Sequence, residues 1–220
     1  MKESKRDFML GACFFALFIL LAVLLRKVDY RAIGPMDSSV GFATLNAGAA
    51  AMFPYNGFWY VISVISGILN YLIAGLFAIS GLKQLVSRRS LLLVDKKLVY
   101  LGALYAVVIF LYLIFDHVVV INFRPVLEDG ALAPSFPSSH SFMAVSIVAS
   151  AAFLSSKGLS IFLPKTKRLV LGSLFALMII SVFSRLFSGV HWLTDIIGGV
   201  LLGFACVYTY AGSVLMTENK

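Results

Sequence analysis

Apolar positions in this chain come in long unbroken blocks. They do not form the i, i+3, i+4 stripe of a soluble helix or the alternation of a half-buried strand. Near-uncharged runs occupy residues 8–25, 58–82, 98–115, 139–156, 169–187 and 192–215. Each is close to the roughly 20 residues a helix needs to cross about 30 Å of hydrocarbon. The last two merge into one apolar stretch over 169–215. That stretch is more than two crossings of about 20 residues in length, so it must fold back once. The turn falls near Ser188 and Gly189. The expected fold class is all-α: a polytopic membrane protein, with six transmembrane helices bundled in a single domain over 1–220. The stretch 29–57 is rich in Gly and Ala and is interrupted by Asn46 and Pro54. It reads as an outer loop with an interfacial helix, with Tyr55, Trp59 and Tyr60 marking the headgroup level. A seventh crossing there would exchange the sides of every later loop.

Composition agrees with a membrane setting: 60% of the 220 residues are hydrophobic and only 13% charged, with a mean hydropathy of +0.97. Basic residues stay cytoplasmic during insertion, so their distribution sets orientation. Six spans put Lys2, Lys5, Arg6, Lys83, Arg88, Arg89, Lys96, Lys97, Lys157, Lys165, Lys167, Arg168 and Lys220 on one side. The other side receives Arg26, Lys27, Arg31, Arg124 and Arg185. Both termini are therefore expected in the cytoplasm. The net charge of +8 is scattered over short loops and needs no nucleic acid to explain it. The N-terminal run lacks a small-residue cleavage site, because Arg26 and Lys27 follow it, so it reads as a retained span and not a signal peptide. Cys13 and Cys206 lie inside apolar runs, where a thiol behaves as a small hydrophobe. They suggest no disulfide framework.

Candidate chemistry collects at one set of span boundaries. The chain has three histidines, His117, His140 and His191, all at span ends on the sparsely charged side. Asp116, Arg124, Arg185 and Asp195 share those boundaries. Ionisable groups at membrane depth are functional-site candidates because their insertion is costly. In HWLTD, His191 and Asp195 are at i and i+4, so on a helix they share a face, about 5–6 Å apart at Cβ. The carboxylate then orients the imidazole and leaves its other nitrogen free as nucleophile or base. Arg124 and Arg185 offer planar, permanently charged forks suited to phosphate. In SFPSSHSF, Pro137 and the serines after it read as a helix start, with Ser138 or Ser139 as N-cap. The free amides of such a start favour an anion, and His140 in the first turn is placed to protonate a leaving oxygen. Together these groups describe a phosphoryl pocket, since phosphoryl transfer needs mostly positioning and charge neutralisation.

HVVVINFRP (117–125), PSSH (137–140) and SRLFSGVHWLTD (184–195) resemble the three ordered motifs of the type 2 phosphatidic acid phosphatase superfamily. That family's pattern is K, six residues, RP; then PSGH; then SR, five residues, H, three residues, D. The motif core covers roughly 116–199. The resemblance implies that His191 attacks phosphorus to form a phosphohistidine, supported by Asp195. It implies that His140 protonates the leaving group and then activates water. Arg124, Arg185 and the backbone around Ser138 and Ser139 would bind the phosphoryl oxygens. Family members need neither metal nor cofactor. Two positions depart from the pattern: His117 stands for the lysine and Ser139 for the glycine. As a phosphate contact, His117 implies an acid-shifted activity, because an imidazole titrates near 6.5. Ser139 adds a hydroxyl that either narrows the pocket or donates a hydrogen bond.

The expected function is a metal-independent lipid phosphate or pyrophosphate phosphatase of a bacterial plasma membrane, with its site on the extracytoplasmic face. Candidate substrates are undecaprenyl pyrophosphate, phosphatidylglycerophosphate and phosphatidic acid. No protein partner is evident beyond membrane lipids. Two rivals have distinct signatures. A zinc hydrolase could draw ligands from the same His and Asp residues, but Arg124 and Arg185 would repel the cation. A non-catalytic lipid-binding or transport protein would use the pocket without needing both His191 and His140. Gly198 and Gly199 read as small residues that let the last span pack closely on a neighbour.

Overall fold

The computed structural model describes residues 1–156 and 166–218. Lys157, Lys165 and Lys220, counted above among the basic loop residues, lie outside the described residues. Among the described residues, six helices are long and apolar enough to cross a membrane: α1 (Lys2–Leu24), α3 (Gly57–Arg88), α4 (Lys96–His117), α5 (Ser139–Ser156), α6 (Lys167–Phe187) and α7 (Leu193–Glu218). They coincide with the six expected spans. The protein is a multi-pass membrane protein.

Between α1 and α3 lies α2 (Ala43–Met52), the helix expected within the outer loop. It is preceded by a short antiparallel pair, β1 (Arg31–Ala32) and β2 (Ser39–Val40), with Arg31 opposite Val40. Phe42 precedes α2 and offers no side-chain cap. Asp29 does this work instead, its Oδ2 accepting the Thr44 amide at 2.6 Å and its Oδ1 the Arg31 Nε at 2.8 Å. These bonds, the Thr44 amide foremost, hold the Asp29 carboxyl below its usual range. Arg26 donates to the Val120 carbonyl at 3.0 Å. Arg26 and Arg31, two of the five basic residues assigned to the sparsely charged side, are thus spent on holding the connecting segments together.

Both ends of the chain meet at one end of the bundle. The Ser4 hydroxyl donates to the Gly212 carbonyl at 2.8 Å, and Lys97 Nζ pairs with Glu218 at 2.8 Å. Asp95 caps α4 through the Lys97 amide, while its own amide donates to Gln84 Oε1 at 2.9 Å, joining α3 to α4. With an even number of crossings, the far ends of α4, α6 and α1 and the starts of α5 and α7 all lie at the opposite end, where every candidate residue is found.

Helices α5 and α7 are the most enclosed, and the other four spans bury only a minority of their positions. The small residues of α7 explain this. A Cβ on Gly199 would come within 2.6 Å of the Ser138 carbonyl oxygen, so only glycine lets the two helix starts approach this closely. Gly198 similarly accommodates the Phe136 ring, which stacks on Phe18 at 5.6 Å. The α6–α7 turn uses Gly189 at φ +67, a conformation open to glycine at little cost. A side chain there would also strike the backbone of Pro54 and Tyr55. The Asn56 amide donates to the Ser188 carbonyl at 3.1 Å, so the connection between α1 and α3 is docked on that turn.

Candidate active site

The connection from α4 to α5 is a hairpin, which the sequence reading did not foresee. The Ser135 amide donates to the Asn122 carbonyl at 2.9 Å, and the Arg124 amide to the Ala133 carbonyl at 3.0 Å. Its tip is closed by Asp129 and Gly130, both at positive φ, the Asp-Gly pairing that favours a tight hairpin turn. The indole Nε1–H of Trp192 donates to the Phe123 carbonyl at 2.7 Å, fastening the hairpin to the start of α7. Arg124 on one strand and Ser135 on the other thereby face the same region as His191.

His191 lies in the turn before α7, not on the helix as expected, and Asp195 lies in the first helical turn. The reason is local: the Asp195 carboxylate reaches back to accept the Trp192 amide at 3.0 Å, the closure by which an acidic third residue caps a helix start. His191 Nδ1 and Asp195 Oδ2 are 3.7 Å apart, beyond hydrogen-bond length. The Ser135 hydroxyl fills the interval. It lies 3.1 Å from His191 Nδ1 and donates to Asp195 Oδ2. Asn122 Nδ2 donates to the other carboxylate oxygen at 3.2 Å. Since the hydroxyl proton goes to the carboxylate, its oxygen accepts from Nδ1–H, which leaves Nε2 with a lone pair. That Nε2 is buried and has no hydrogen-bond partner among the described residues. Burial first, then Arg185 and Arg124, hold the His191 imidazole well below its ordinary value of 6.5, so it is neutral and nucleophilic at neutral pH.

Arg185 is buried on α6. It donates from Nη1 to Ser63 Oγ at 3.1 Å, and its guanidinium sits 5.7 Å from the Tyr60 ring centroid. Tyr60, expected as a headgroup marker, thus also faces a site cation. The Arg185 Nε–H is buried without a partner, and no carboxylate pairs with Arg185 among the described residues. One turn along α3, Gly67 makes room for His140, whose ring would stand 3.5 Å from a Cβ there. Ser63 and Gly67 therefore seat Arg185 and His140 side by side. Arg124 is tied to Glu128 at 2.9 Å and through Nε to the Pro134 carbonyl at 3.3 Å. Arg124, Ser139 and His191 line one cleft with Tyr112, Asp116 and Ser135.

Ser138 acts as the N-cap. Its hydroxyl faces the Ser141 amide at 3.5 Å, and its own amide is spent on the Asp195 carbonyl at 2.9 Å. The amides of Ser139 and His140 carry no partner among the described residues, so they, and not that of Ser138, are the ones open to an anion. His117 is the expected contact that the structure does not bring in. Successive helical residues are about 100° apart. Asp116 therefore faces the cleft while His117 is exposed and pairs with Asp116 at 3.1 Å. No group of three His, Cys, Asp or Glu side chains gathers for a metal among the described residues.

The model of the PAP2 superfamily matches residues 8–217. The chain belongs to the PAP2 superfamily. Over 91 residues it is 32% identical to phosphatidylglycerophosphatase B of Bacillus subtilis (strain 168), a match covering 41% of this chain and 43% of that protein. The match thus spans less than half the length of this curated relative. A crystal structure of a transmembrane PAP2 type phosphatidylglycerolphosphate phosphatase from Bacillus subtilis superposes with a TM-score of 0.58 at 22% identity, covering 96% of this chain and 97% of that one. The fold is shared over nearly the whole length of both chains. Within this PAP2 chain, the residues that the sequence reading missed are Ser135, Asn122, Glu128, Ser63 and Trp192. Asn122 and Trp192 lie inside the first and third motif segments, at positions the family pattern leaves open, and Ser135 stands two residues before PSSH; Glu128 and Ser63 carry no such signal.

Proposed function

We propose that this protein is a lipid phosphate hydrolase acting through a phosphohistidine on His191. The observation that carries this reading is a pair of buried, unpartnered nitrogens at the same end of the bundle: the acceptor Nε2 of His191 and the donor Nε–H of Arg185. One is a nucleophile with its tautomer fixed. The other belongs to a cation with no acidic partner among the described residues, suited to a phosphoryl oxygen. In the proposed reaction, His191 Nε2 forms a bond to phosphorus as the bond to the leaving oxygen breaks. His140 supplies the proton to that oxygen, then takes one from the water that releases phosphate. Arg124, Arg185 and the Ser139 amide hold the phosphoryl oxygens, with Asp195 supporting the nucleophile. No step calls for a metal.

An apolar groove between α1, α4 and α7, bordered by Phe15, Ala103, Val107 and Cys206, meets the cleft at Leu111, which lines both. This supports a substrate carrying a long apolar tail. The phosphatidylglycerophosphatase relative makes phosphatidylglycerophosphate the first substrate to test, ahead of phosphatidic acid and undecaprenyl pyrophosphate. The excess of basic residues at the end holding both termini supports cytoplasmic termini and an extracytoplasmic site.

The test is phosphate release by purified protein from each of the three lipids, in excess chelator, beside a His191→Ala variant. Hydrolysis in chelator that vanishes in the variant, with lipid binding retained, supports the reading. Dependence on added zinc, or lipid binding with no hydrolysis, overturns it in favour of a metalloenzyme or of a lipid carrier.

A further inference from the structure

We propose that Ser135 is the positioning residue of the nucleophile, a hydroxyl bridge through which Asp195 acts on His191. This rests on the reading of His191 as nucleophile. A direct bond between the two is missing: the 3.7 Å from Nδ1 to Oδ2 is too long for a hydrogen bond, and that same oxygen is held by the Trp192 amide at 3.0 Å. The bridging group must accept from Nδ1–H and donate to a carboxylate at once. A hydroxyl does both, whereas a backbone amide or a carboxylate does only one. Asp195 is fully buried and Ser135 nearly so, so the step from the hydroxyl to the carboxylate is shielded from bulk water.

The same hairpin supplies every part. Ser135 bridges to Nδ1, Asn122 opposite it holds the far oxygen of Asp195, and Arg124 between them lines the cleft. The Trp192 indole locks this hairpin to the start of α7. The aim of the nucleophile and the placement of a phosphate-gripping cation are therefore set by one rigid element. During attack the imidazole becomes cationic as Nε2 bonds to phosphorus. Nδ1 keeps its proton, which stays directed at Ser135 Oγ, and the Ser135 proton stays directed at Asp195. No proton leaves the relay, so its task is orientation and charge stabilisation.

Removing the hydroxyl cuts the link from Nδ1–H to Asp195 and leaves the imidazole only the Ser135 backbone as a polar partner, so part of the population moves its proton to Nε2, which blocks attack. Ser135→Ala should lower kcat roughly 10- to 100-fold, as loss of an outer hydrogen-bond partner of a functional histidine does, with KM within about twofold because no phosphate contact is touched. Ser135→Cys, near-isosteric with a weak donor and acceptor, should lie between. The decisive readout is the ¹⁵N NMR tautomer of His191, tractable in a chain with three histidines and independent of turnover. The wild type should show Nδ1–H, and Ser135→Ala a shift towards Nε2–H. An unchanged tautomer with wild-type kcat in both variants overturns the proposal and means Asp195 holds the imidazole unaided. A wild type that hydrolyses no lipid, but whose tautomer still moves in Ser135→Ala, instead defeats the phosphatase reading while the positioning role stands.

Discussion

Gly199 on α7 lies against Ser138 at the start of α5, so close that a Cβ on the glycine would stand 2.6 Å from the serine's carbonyl oxygen. The contact sets catalytic register, because the Ser138 amide donates to the Asp195 carbonyl four residues before that glycine. The two helix starts that carry His140 and Asp195 are thus held in one fixed relation.

Gly199→Ala forces these starts apart, since the atom it strikes is backbone and not a pliable side chain. Overpacking of this kind costs about 1–3 kcal/mol. A lower thermal midpoint in detergent, with loss of phosphate release larger than that for Gly172→Ala, where the glycine has open space, is the expected result. Equal behaviour of the two variants would show that the approach is looser than described.

Asn46 ties α2 to the start of α7. Its side chain accepts from the Thr194 amide at 3.2 Å and donates to the Gly41 carbonyl at 2.8 Å, all fully buried. Asn46→Ala leaves these groups unpaired, at about 1–3 kcal/mol for each buried group so stranded. Chemical denaturation should move to lower denaturant, and protease should cut the outer loop more readily. Unaltered cleavage would mean α2 is held by its apolar contacts alone.

The pH dependence follows from His191. Its folded value lies below the unfolded 6.5, so the unfolded chain binds this proton more readily. Its contribution to stability is complete above about pH 6.5 and is lost as pH falls below it. With His191 as the proposed nucleophile, the free enzyme should keep it unprotonated at pH 6.5, with the acid limb of kcat/KM lying lower. A limb at or above 6.5 assigned to His191 would contradict the buried, twice-flanked site.

His117 stands outside the cleft, paired with Asp116. Were His117 the phosphate contact that the sequence suggests, His117→Lys would raise activity at neutral pH. With the side chain exposed, the expected change is instead less than about twofold, since surface substitutions away from a site rarely matter. A pH profile that follows residue 117 would restore it as a phosphate contact.

Much of the candidate site was legible in the sequence because the membrane makes charge conspicuous. His140, His191, Asp195, Arg124 and Arg185 could be singled out since each interrupts or flanks a long apolar run, and their spacing matched a known pattern. Ser135, Asn122 and Asn46 could not. Small polar residues occupy loops for many local reasons, and the partners that give these three their roles are 56, 73 and 148 residues away.

The sequence by itself determined the six crossings, the interfacial helix and the common end of the bundle at which the ionisable groups lie. Hydrocarbon enforces these features one segment at a time: a span must be predominantly apolar over about 20 residues to insert. Only the tertiary structure decided that a serine stands between His191 and Asp195, that the Ser138 amide is already spent, and that His117 turns away. Those outcomes depend on tenths of an ångström between segments distant in the chain, and on which side of a helix a residue falls, which no local pattern encodes.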